Sequence, residues 1–76
     1  MREIVRTNDA VLLSFVRATL ADEGVEFLVA DGNMSVLEGS LGVLSSRVLV
    51  AEDDVARARR VLTEIGLAQE LRPDVP

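Results

Sequence analysis

The chain reads as an α+β domain, a two-layer sandwich with two helices on one face of a small antiparallel sheet. Three observations predict it. Short β-branched runs at Arg2 to Thr7, Val25 to Ala30 and Arg47 to Ala51 alternate with two stretches of helical periodicity. Each helical stretch stops at a glycine, Gly24 or Gly66, the residue suited to the left-handed position after a helix. The length, 76 residues with 49% apolar, allows one small domain and no second.

The elements follow in order. Arg2 to Thr7 is the first strand, with mixed alternation. Asn8 or Asp9 then offers a side-chain oxygen to the unpaired amides of a helix. From Asp9 to Asp22 the residues Val11, Leu12, Phe15, Val16, Thr19 and Leu20 recur at three- and four-residue spacing, a wide helical stripe. Val25 to Ala30 is a β-branched and aromatic strand. Asp31 to Ser46 is irregular and holds Gly32, Gly39 and Gly42. Arg47 to Ala51 is the third strand. Glu52, Asp53 and Asp54 put negative charge at the positive dipole end of a second helix, whose stripe is Val55, Ala58, Leu62 and Ile65. Residues 1–68 form the domain, and residues 69–76, with Pro73 and Pro76, form a flexible tail.

The order β-α-β-β-α limits the topology. A strand-helix-strand unit crosses over with right-handed sense, and the third strand can insert antiparallel between the first two. The expected architecture is ferredoxin-like, without the fourth strand of that fold. Alternation places Val25, Phe27, Val29, Val48 and Val50 toward the helices. Leu28, Ala30 and Leu49 are expected on an open face, with Ile4 as a further candidate for it. An apolar face of this kind predicts self-association, a dimer or higher, through the sheet face or a strand edge.

Composition removes most chemistry. There is no Cys, His, Lys, Trp or Tyr, and all eight basic residues are arginine. That excludes a thiol nucleophile, an imidazole base, a Schiff-base lysine and an ordinary zinc site. No catalytic residue, cofactor or metal is expected, and the chain is not read as an enzyme. Ser35, Ser40, Ser45 and Ser46 lack an activating partner, and no second carboxylate supports Glu38 as a base. With 13 acidic residues, a net charge of −5 and two aromatics, the chain is ill suited to nucleic acid. No apolar run reaches membrane-spanning length and the N-terminus lacks the apolar core of a signal peptide, so a cytoplasmic location is expected. Arg57 and Arg60 read as a solvated face, with Asp53 and Arg57 at ion-pair spacing. Arg2 and Arg6, on one side of the first strand, read as salt partners.

Three stretches carry a resemblance: Arg6-Thr7-Asn8-Asp9, Met34 through Gly42 (MSVLEGSLG), and Val48 through Asp54 (VLVAEDD). Over about residues 2 to 70 the chain resembles a small prokaryotic domain family of unknown function. It is labelled "putative prokaryotic signal transducing protein" and grouped by fold with GlnB-like (PII-like) proteins. The resemblance implies a bacterial protein with a GlnB-like arrangement. PII proteins are trimeric sensors that bind nucleotides between subunits and use a long loop after their second strand. Residues 31–46 occupy the similar place here, but they are shorter, more apolar and without tyrosine. The cationic nucleotide-holding residues of PII have no clear match, so no binding site carries over.

The central segment is long for a connection in so small a domain. Three readings are open for it: a plug of its apolar residues on the sheet, a protein-contact loop, or a backbone anion nest at Gly39 to Gly42. The candidate interaction surface comprises Thr7, Asn8 and Asp9 together with Asn33, Met34, Ser35, Leu37, Glu38, Gly39, Ser40 and Gly42. The expected function is a non-enzymatic regulatory module that binds a protein partner. The alternative is a PII-like sensor of a small anionic metabolite or nucleotide.

Overall fold

The computed structural model describes residues 1–30 and 45–73. Strand β1 (Arg2–Thr7) leads into helix α1 (Ala10–Asp22), followed by β2 (Phe27–Ala30) and β3 (Ser46–Val50). A 3-10 turn (Glu52–Asp54) then runs into helix α2 (Val55–Glu64), and a second 3-10 turn (Ala68–Glu70) follows. The described strands form one sheet in the order β1-β3-β2, with both pairings antiparallel. The third strand therefore inserts between the first two, the arrangement expected from the element order. The result is an α+β fold with three antiparallel strands and two helices, compatible with a ferredoxin-like arrangement.

Local chemistry sets the boundaries. The choice between Asn8 and Asp9 falls to Asp9, whose Oδ1 accepts from the Val11 and Leu12 amides at 2.9 and 3.1 Å. Both helices end in the same motif. The Gly24 amide donates to Ala21 O and the Val25 amide to Leu20 O; the Gly66 amide donates to Thr63 O and the Leu67 amide to Leu62 O. These bonds satisfy the last helical carbonyls, and they need a left-handed residue, met by φ of +73° at Gly24 and +91° at Gly66. Because Val25 helps close α1, β2 starts at Phe27, two residues later than the pattern predicts. Strand β3 starts one residue earlier than predicted, with Ser46 opposite Thr7. It ends before Ala51, whose carbonyl accepts from the Asp54 amide at 2.8 Å in the 3-10 turn.

The core is one aliphatic cluster: Ile4 and Val5 from β1, Val16 and Leu20 from α1, Val25, Val48 and Val50, and Val55, Ala58 and Leu62 from α2. Phe27 and Val29 pack against it from β2. Both helices thus lie on the face that carries Val48 and Val50.

Ile4 belongs to this core and not to the open face. A register shift between Glu3 and Val5 lets the consecutive side chains of Ile4 and Val5 both be buried, at 0% and 1% exposure. The same shift separates Arg2 from Arg6. Arg2 lies opposite Val50 and Arg6 opposite Arg47, so the two arginines occupy different faces. The end of α2 also departs from the expected stripe. Ile65 is the C-cap, where the chain leaves helical geometry, and is 39% exposed, while Val61 is buried one turn earlier.

The outer edge of β1 is covered by residues beyond 68. Leu71 forms an antiparallel bridge with Val5, and the Arg72 amide donates to Ile4 O at 2.8 Å. Arg59 Nη1 in turn donates to the Arg72 carbonyl at 2.6 Å. This bridge occupies the sheet position beside β1 that a fourth strand fills in ferredoxin-like folds.

Candidate functional site

The junction between β1 and α1 uses most of its polar groups internally. The Asp9 amide donates to Thr7 Oγ1 at 2.9 Å, while the Asp9 carboxylate caps the helix. Asn8 is exposed between them. Thr7 and Asp9 therefore set where α1 begins and how it leaves the sheet. The other predicted site residues, Asn33, Met34, Ser35, Leu37, Glu38, Gly39, Ser40 and Gly42, lie outside the described residues.

Beside this junction, α1 presents more apolar surface than the core takes up. Successive residues turn by about 100°, so with Val16 facing the core, Leu12, Leu13 and Leu20 flank it while Phe15 and Val11 swing outward. Val16 and Leu20 are fully buried, whereas Val11 is 79% and Phe15 51% exposed. With Asp9, Leu12, Ser14 and Ala18 they form an open, largely apolar surface along α1. Sequence periodicity places Val11 and Phe15 on the wide apolar stripe of the helix, and the structure leaves both exposed. The available signal was the width of that stripe, broader than one sheet contact can cover.

The open face of the sheet is a second surface. Directly opposed residues share a face, so Glu3, Leu49 and Leu28 form one row across the strands, and Arg6, Arg47 and Ala30 form the next. Leu28, Ala30 and Leu49 lie where alternation placed them, and Leu28 is 54% exposed. The Glu3 carboxylate is shared: Oε1 pairs with Arg6 Nη2 and Oε2 with Arg72 Nε, each at 3.2 Å. Arg47 is exposed, and its guanidinium makes no hydrogen bond or ion pair among the described residues.

The remaining charged contacts are structural. Arg2 pairs with Glu52 at 2.9 Å. Arg57 donates to the Glu23 carbonyl at the end of α1, and not to Asp53 as its spacing predicts. Asp53 sits in the 3-10 turn before α2, where helical i,i+4 geometry does not hold. Among the described residues no polar or charged side chain is buried, and no three His, Cys, Asp or Glu side chains are grouped to hold a metal ion. No described helix is long and apolar enough to cross a membrane.

Among curated proteins, none matches the chain significantly. A protein-family model does, over residues 1–66. The chain accordingly belongs to the family described as "Putative prokaryotic signal transducing protein".

Proposed function

We propose that the chain is a non-enzymatic interaction module that acts by docking a partner protein on the outward face of α1. The observation that supports this reading most is the exposure of Val11 and Phe15, 79% and 51%, on a helix whose opposite side already fills the core. Fully burying an exposed side chain of this size is worth about 1.5–3 kcal/mol, of which Phe15 has about half left to gain, and the cost of association offsets part of it. Val11, Phe15 and Ala18 recur at i, i+4 and i+7, the spacing that receives the apolar stripe of a partner helix. Ser14 and Ala18 are small enough to let a second backbone approach. The family description points the same way, because a signalling protein without catalytic groups transmits by contact. The alternative, a PII-like sensor of an anionic metabolite or nucleotide, finds less support here. Asp9 is the charged residue of that surface, and its negative carboxylate is engaged in capping.

Affinity capture with three baits, the wild type, the Val11→Asp/Phe15→Asp double variant and an Arg60→Glu control, tests the proposal. A partner held by the wild type and by an Arg60→Glu control, but lost by the double variant, is the expected result. Equal capture by all three baits contradicts it. So does a thermal shift of the wild type with a nucleotide or metabolite that the double variant retains, which would favour the sensor reading.

A further inference from the structure

We infer that the open face of the sheet is a docking site for an extended acidic polypeptide segment with apolar anchor side chains. This surface is separate from the outward face of α1 and its chemistry differs. The chain carries 13 acidic residues against 8 arginines, yet among the described residues this face pairs Arg6 and Arg72 with one carboxylate, Glu3, and sets Arg47 opposite Arg6. Glu3 is divided between Arg6 and Arg72, so Arg47 is left without a counter-charge among the described residues.

Arg6 and Arg47 are moreover direct cross-strand partners. Like charges placed opposite each other destabilise a sheet, and an added carboxylate relieves that repulsion while taking both guanidinium forks. The neighbouring row supplies the second half of the recognition. Leu49 and Leu28 lie two residues along their strands from Arg47 and Ala30, a step of about 7 Å. An extended chain repeats its same-side residues at that interval, so a carboxylate and an apolar side chain two positions apart match the Arg and Leu rows together.

The pattern also argues against a second copy of this chain as the occupant. A two-fold face-to-face contact centred on the Arg6/Arg47 pair would set each copy's arginines against those of the other. A small anion would satisfy the arginines and leave Leu28 and Leu49 uncovered.

Titration of the ¹⁵N-labelled full chain with the blocked peptide Glu-Leu-Glu-Leu-Glu, followed by amide shifts, tests the inference. Saturable shifts are expected at Leu28, Ala30, Arg47 and Leu49. Affinity should fall by about tenfold or more between about 0.05 and about 0.5 M salt. Arg47→Glu should abolish binding, Leu28→Ser should weaken it, and Glu3→Gln, which removes the competing carboxylate, should strengthen it. The inference is overturned if Lys-Leu-Lys-Leu-Lys binds equally, or if the acidic peptide leaves these amides unmoved. Inorganic phosphate reproducing the shifts overturns it in favour of a small anion. Concentration-dependent dimerisation through this face, seen by sedimentation with the same amides broadened, overturns it in favour of a second copy.

Discussion

The two helices are built alike and finished differently. Both rest on the same face of the sheet, and both close with a left-handed glycine bonded back to the last turn. Helix α2 divides its surface cleanly: Val55, Ala58, Val61 and Leu62 are buried, while Arg57, Arg60 and Glu64 face water. Helix α1 does not. It buries Val16 and Leu20, half-buries Leu12 and Leu13, and still exposes Val11 and Phe15. A helix that serves only its own domain looks like α2. The surplus on α1 has no role in the described core, and it is the basis for assigning that face to a partner.

The largest effects should be common to the two helices, because their inner sides do the same job. Leu20 and Leu62 are both fully buried. Leu20→Ala and Leu62→Ala should each cost about 2–5 kcal/mol, read from urea unfolding midpoints. In a domain this small either loss removes much of the total stability, so similar values would support the symmetry and a near-zero value for one would break it.

The closing glycines come next. A Cβ at Gly66 meets no atom within 4 Å, and at Gly24 it meets only Arg57 Nη2 at 3.9 Å. Sterics with neighbours are thus minor, and the left-handed backbone sets the cost. Gly24→Ala and Gly66→Ala should each destabilise by about 1–2 kcal/mol. A large difference between them, measured by thermal unfolding, would show that the two motifs are not equivalent.

The N-termini should differ. Asp9 accepts two backbone amides, whereas Asp54, at the start of α2, makes no side-chain capping bond. Asp9→Ala should lose about 1 kcal/mol and Asp54→Ala within about 0.5 kcal/mol. Equal losses would contradict the capping assignment.

These comparisons show why some of the molecule could be read from its sequence and some could not. The glycine stops, the strand order and the inward placement of Val48 and Val50 follow from local periodicity and turn chemistry. The burial of Ile4 does not, because one extra residue in β1 breaks a two-residue alternation that the letters alone leave intact. The Leu71 bridge is a single-residue pairing and leaves no pattern at all. The outward apolar face of α1 was half visible. Periodicity marked Val11 and Phe15 as apolar and on the helix, but only packing against the sheet decides which part of a wide stripe is covered. The Arg47 cluster needed the strand register, since Arg6, Arg47 and Arg72 are far apart in sequence.

The most direct test of the account is the stability of the Val11→Gln/Phe15→Gln double variant, from urea unfolding beside the wild type. If the outward face of α1 is free for a partner, the two substitutions together should shift unfolding by no more than about 1 kcal/mol. A loss of about 4 kcal/mol or more, the scale of emptying a core site, would mean that the stripe belongs to the chain's own interior and would contradict the account.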